Sequence, residues 1–102
     1  MNSTGQRECA TSLQRGEVQG YDFNRMAVEF TMFDRDKIVQ CAISTAAMDD
    51  LEGRRSYLKA ELRVDQFMRL RGAIEERASL KYFGEQAQAD RPLVLRSNDF
   101  SQ

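Results

Sequence analysis

Apolar and polar residues alternate twice in the first half of this chain, with a short polar gap between the two runs. From Arg25 to Phe33, Met26, Val28, Phe30 and Met32 fall on one side and Arg25, Ala27, Glu29 and Thr31 on the other. That two-residue period belongs to a half-buried strand. After Asp34-Arg35-Asp36-Lys37, a run of turn formers, the alternation resumes, and Val39, Cys41 and Ile43 face one way. Two such runs across a short gap predict a β-hairpin.

The period then lengthens. Ser44 is placed to cap a helix with its hydroxyl, and Thr45 to Glu52 would bury Ala47, Met48 and Leu51 before Gly53 supplies a left-handed stop. Further along, Phe67, Leu70, Ile74 and Ala78 recur at steps of three or four, one stripe of an amphipathic helix. Ser56 to Leu62 also reads as helical, but Leu58 and Leu62 lie about 140° around from the centre of that stripe. One straight helix cannot bury both. The pattern therefore predicts a break at Arg63 to Asp65, with Asp65 as a new N-cap, a last helix from Gln66 to Phe83, and Gly84 just past its end. Pro92 then leads into a short strand at Leu93-Val94-Leu95-Arg96, and Ser97 to Gln102 should fray.

These elements give an α+β, two-layer fold: a small antiparallel sheet, made of the β-hairpin plus the C-terminal strand, with two to three helices on one face, in the order ββααβ. Residues 1–20 read as a mobile leader with room for a short strand near 13–18, and 21–102 as a single domain. The expected core brings Met26, Val28, Phe30, Met32, Val39, Cys41 and Ile43 against Met48, Leu51, Phe67, Leu70 and Ile74. A three-stranded sheet leaves its edges open, which invites self-association as a homodimer.

Composition narrows the chemistry. The chain has 102 residues, 41% hydrophobic and 30% charged, ordinary values for one globular domain. It has two cysteines and no histidine, which removes histidine-based acid–base catalysis and a standard four-ligand zinc site within one chain. Cys41 sits in an alternating strand as a small hydrophobe, and Cys9 in the polar leader. No apolar run approaches the roughly 18 residues of a membrane span. Met1 to Ser12 lacks the apolar region of a signal peptide, so the expectation is a bacterial-type cytoplasmic protein without membrane contact. Glu75-Glu76 and Asp49-Asp50 are helix neighbours pointing about 100° apart and do not converge on one substrate atom. With no glycine-rich phosphate loop, nucleophile elbow or run of metal ligands, the expectation is no enzyme: no catalytic residue, no cofactor and no metal.

Charge adds one asymmetry. Between Arg54 and Lys81 stand eight basic residues against four acidic ones, a surplus of four positive charges, although the whole chain has a net charge of −1. Arg71 and Lys81 fall at the edges of the apolar stripe, with Glu75 one turn from Arg71. Arg71, Glu75, Lys81 and Tyr82 are the candidates for contact with a protein partner or a small anionic ligand. Arg54, Arg55, Arg63 and Arg69 are the candidates for phosphate contacts under the alternative of nucleic-acid binding. That alternative is not favoured, because the chain is slightly acidic, with a pI of about 5.5.

Several of these pieces also occur together in a known family. They are Val28-Glu29-Phe30, Val39-Gln40-Cys41-Ala42-Ile43-Ser44, Phe67, Arg71-x-x-Ile74-Glu75-x-x-Ala78-x-x-Lys81-Tyr82 and Val94-Leu95-Arg96-Ser97-x-Asp99. In order and spacing, Met26 to Phe100 resembles the small bacterial family catalogued as domain of unknown function 1488. Asp36 and Arg91 stand where that family favours glycine. The resemblance implies a compact α+β domain and supplies no activity. The function expected is that of a non-enzymatic binding or regulatory module, with a nucleic-acid-associated transcriptional regulator as the alternative.

Overall fold

Four strands and two helices make up the computed structural model, which describes residues 12–53, 59–84 and 92–100. In chain order they are β1 (Gln14–Asp22), β2 (Ala27–Asp34), β3 (Lys37–Ser44), α1 (Thr45–Glu52), α2 (Ala60–Gly84) and β4 (Leu93–Leu95), followed by a 3₁₀ turn at Ser97–Asp99. The strands form one sheet in the order β1-β2-β3-β4, with the helices packed on one face. This is the two-layer α+β arrangement expected from the pattern.

The hairpin of β2 and β3 is regular throughout, from Ala27 opposite Ser44 to Asp34 opposite Lys37. Val28, Phe30, Met32, Val39, Cys41 and Ile43 line its inner face and are buried. Against them lie Met48 from α1 and Phe67, Ile74 and Ala78 from α2, all fully enclosed. Phe30 and Phe67 stack with ring centroids 4.9 Å apart, so the sheet meets the long helix through aromatic contact. Leu51 and Leu70 pack at the margin, half-buried. Helix α1 is capped as expected: Ser44 Oγ accepts the Ala47 N–H at 3.1 Å, and Gly53 closes the helix at φ 78°.

The structure extends one expectation and corrects three. The strand for which 13–18 left room is present and longer, as β1 (Gln14–Asp22), a fourth strand on the outer side of β2. The sheet is mixed, because β4 runs parallel to β3; the two helices form the crossover that parallel pairing requires. Met26 is not core: it is 58% exposed with φ 53°, and its carbonyl accepts the Thr45 N–H at 3.0 Å. It ends the β1–β2 turn instead of extending β2. In the β2–β3 turn Arg35 is the left-handed residue, at φ 63°. Ser97 to Asp99 forms an ordered turn, and Phe100 packs against the core.

The expected helix break is also absent. Helix α2 runs unbroken from Ala60 to Gly84, so Asp65 is an exposed helical residue and no N-cap. Leu62 faces solvent, which removes the need to bury a second stripe, and Arg63 and Gln66 are the residues buried against α1. Gly84 belongs to the last turn of the helix and is not left-handed. The leader's first eleven residues, Arg54, Arg55, the Ser56–Leu58 part of the expected helix, and Arg91 lie outside the described residues.

Candidate functional site

At about 100° per residue, the 25 residues of α2 present a buried stripe, two flanks and an outer side. Each has a different chemistry. The stripe holds Phe67, Ile74 and Ala78 and faces the sheet.

One flank faces β1 and the β2–β3 turn. Arg71 Nε donates to Glu75 Oε2 at 2.8 Å, and Arg71 Nη2 donates to the Gly16 carbonyl at 3.0 Å. Arg15 approaches the same carboxylate from the strand, with Nε at 2.9 Å from Oε2 and Nη2 at 2.8 Å from Oε1. Glu75 thus joins two arginines from two elements. The Arg71 guanidinium also lies 5.9 Å from the centre of the Phe67 ring. Farther along, Ser79 Oγ accepts the Leu13 N–H at 2.9 Å, and the Tyr82 hydroxyl donates to Asp34 Oδ2 at 2.9 Å. Burial, and then the Asp34 carboxylate, push the Tyr82 phenol above its ordinary range.

The opposite flank faces β4. Lys81 Nζ donates to the Val94 carbonyl at 2.9 Å and to Asp99 Oδ2 at 3.0 Å, and the Arg77 guanidinium donates to the Asp99 carbonyl. Burial alone would raise the Asp99 carboxyl. The Arg96 N–H, and then Lys81, outweigh it and hold the group below the ordinary carboxylate value.

The structure therefore separates the four partner candidates. Arg71, Glu75 and Tyr82 share one flank and Lys81 takes the other, and all four are engaged within the chain. Instead of converging on one groove, they fasten α2 to β1, to the hairpin turn and to β4.

A third polar group joins the helices. Arg63 Nη1 donates to Asp49 Oδ1 at 2.9 Å and to Gln66 Oε1 at 2.6 Å, and Gln66 Nε2 reaches Asp49 Oδ1 at 3.0 Å and Glu52 Oε1 at 3.1 Å. Arg69 holds Glu52 through Nε at 3.0 Å and Nη2 at 3.2 Å. Arg63 is 6% exposed, so this phosphate candidate is buried, contrary to the expectation that it lies open. Among the described residues, every buried side-chain nitrogen and oxygen has a partner. Sequence reasoning missed this junction; its only signal is a polar Arg63 and Gln66 where Asp49 and Glu52 of α1 pass.

The outer side of α2 is the remaining surface. It exposes Leu62, Leu80 (55% exposed) and Phe83, while the exposed Met68 lies beside Arg71 on the first flank. Two shallow hollows flank the Glu76–Leu80 ridge. One, of about 200 Å³, reaches to Arg77 and Phe100; the other, of about 380 Å³, reaches to Leu13 and Ser79. The thiol of Cys41, by contrast, is enclosed in the core and pushed up to about 12 by burial, which makes it an inert packing group. Among the described residues, no three His, Cys, Asp or Glu side chains converge to hold a metal ion, and no helix is long and apolar enough to cross a membrane.

No curated protein matches the chain. A crystal structure of a protein of unknown function from the DUF1488 family of Shewanella loihica PV-4 matches it with a TM-score of 0.70 and 20% identity, over 83% of this chain and 92% of that one. At that identity the likeness is one of fold. The profile of the family described as "Protein of unknown function (DUF1488)" matches residues 15–95. The sequence match and the shared fold agree, and the chain belongs to the DUF1488 family.

Proposed function

We propose that this domain is a non-enzymatic binding or regulatory module that contacts another protein through the outer side of α2. The observation that carries this reading is the division of labour on the helix. Its charged border is engaged inside the chain, while Leu62, Leu80 and Phe83 are left in water on its outer side. Single exposed apolar residues are ordinary, but several gathered on one helix and rimmed by charge are the usual make-up of a protein contact.

The nucleic-acid alternative has less support. Of its four arginines, Arg63 is enclosed beside Asp49 and Arg69 holds Glu52, while Arg54 and Arg55 lie outside the described residues. The test is affinity capture of native partners on wild type and Leu80→Lys, each with and without nuclease. Partners that survive nuclease and are lost from Leu80→Lys are expected. Partners that vanish on nuclease treatment, with Leu80→Lys indistinguishable from wild type, would turn the assignment to nucleic acid.

A further inference from the structure

The outer side of α2 is self-complementary, and we infer that its partner is a second copy of this chain, packed helix against helix in antiparallel fashion about a two-fold axis between Gly72 and Ala73. This rests on the protein-binding reading above and names the occupant of that face.

The inference comes from the order of residues along the exposed side. Leu62, Arg69, Ala73, Glu76, Leu80 and Phe83 step by seven, four, three, four and three, which keeps them on one seam of a helix facing another helix. All six are exposed. Reversing the helix about a point between residues 72 and 73 brings Arg69 level with Glu76 of the second copy, and Leu62 level with Phe83. Each of these matches occurs twice, because a two-fold contact uses one patch on both copies. A parallel pairing in register would set Arg69 on Arg69 and Glu76 on Glu76. The charges thus select the antiparallel arrangement.

Size complementarity agrees with charge. The residues at the axis, Gly72 and Ala73, are the small ones of the outer side, so the backbones can approach closely there. The bulky Leu62, Leu80 and Phe83 lie toward the ends, where Leu80 would enter the gap between Leu62 and the methylene stem of Arg69 on the second copy. Glu52 already holds that arginine by two hydrogen bonds, so its position is set before association. The hollows on either side of the Glu76–Leu80 ridge give side chains of the second helix room to settle.

The sheet edge, the other route to a dimer, is less suited. Strand β1 carries register shifts between Arg15 and Val18 and again between Val18 and Gly20, and such irregularity discourages edge-to-edge pairing.

Sedimentation equilibrium of the full chain, with Cys9→Ser to remove the second thiol, should show a monomer–dimer equilibrium, roughly in the micromolar range for a single helix-pair contact. Leu80→Lys and Gly72→Leu should each weaken it by at least about tenfold. Gly72→Leu is informative because a Cβ there meets nothing within 4 Å inside the chain, so the substitution leaves the monomer folded, as circular dichroism will check. Mild oxidation should cross-link Ala73→Cys, whose thiols meet beside the axis. It should not cross-link Leu80→Cys, whose thiols lie about 22 Å apart along the helices. A chain that stays monomeric at all concentrations, or a dimer indifferent to both Leu80→Lys and Gly72→Leu, overturns the inference. If a monomer still loses its captured partners in Leu80→Lys, only the second copy is wrong and the binding face stands. If neither assay responds to Leu80, both fall.

Discussion

Arg63 shows how a single side chain can change the meaning of a segment. In the sequence it is one of a series of arginines, and its charge suggests contact with phosphate. In the fold it is enclosed between the helices with Asp49 and Gln66. An ion removed from water costs several kcal/mol unless it is both paired and hydrogen-bonded, and here both conditions hold. Removing one member leaves the other charge buried with less compensation. Arg63→Ala should therefore cost about 3–5 kcal/mol, a large part of a typical domain's stability of roughly 5–15 kcal/mol. An exposed arginine would cost under about 0.5 kcal/mol. Urea unfolding separates the two outcomes, and a loss below about 1 kcal/mol would show that the junction contributes little. Met26 teaches the same lesson in reverse. Its place in the alternation marks it as core, but it closes the β1–β2 turn at a left-handed φ, its carbonyl accepts the Thr45 N–H, and the side chain is turned out into water.

At the scale of elements, legibility followed periodicity. The β2–β3 hairpin alternates without interruption, and both caps of α1 use the residues that capping chemistry favours, so these elements were readable from sequence. Strand β1 was not. Its two register shifts break the period of two, and Arg15 points to the helix side to meet Glu75, where a hydrophobe would be expected. Gly16 allows that irregularity, since a Cβ there would run into the Thr31 carbonyl. The start of α2 was misread because burial there is polar: Arg63 and Gln66 go in and Leu62 stays out. That correction changes the effect expected at Asp65. An N-cap replaced by alanine costs about 0.5–2 kcal/mol, but an exposed aspartate inside a helix gives way to the better helix former. Asp65→Ala should then be neutral or stabilising by up to about 0.7 kcal/mol. A measured loss above about 0.5 kcal/mol would restore the break. The border positions Arg71, Glu75, Lys81 and Tyr82 were legible as a border. Their partners, such as Gly16 and Val94, lie far along the chain and could not be inferred from spacing.

At the scale of the whole molecule, those border contacts distribute the polar bonds of α2 over every element it touches. Its first turns are tied to α1, its middle to β1, and its end to the hairpin turn and to β4. The dry stripe of Phe67, Ile74 and Ala78 supplies the drive to pack, which has no direction; the polar ties fix where along the sheet the helix sits. At the β4 end one carboxylate takes part in the tie. Asp99 accepts from Lys81 and from the Arg96 N–H, and together these hold its folded-state value below the ordinary 3.8. A depressed folded value means that the contribution is fully present above the unfolded value and is lost as pH falls through the folded one. At pH 7, Asp99→Asn should lower stability by about 1–2 kcal/mol, the scale of hydrogen bonds to a charged group. On acidification the wild-type carboxyl takes up its proton and comes to resemble the amide. The two urea unfolding curves should therefore converge as pH falls below the ordinary carboxylate value. A gap that persists unchanged from pH 7 into that range would mean that the side chain acts by shape and not by charge. No gap at pH 7 would mean that β4 is held against α2 by Leu93, Leu95 and the backbone carbonyls of Val94 and Asp99, without help from the carboxylate.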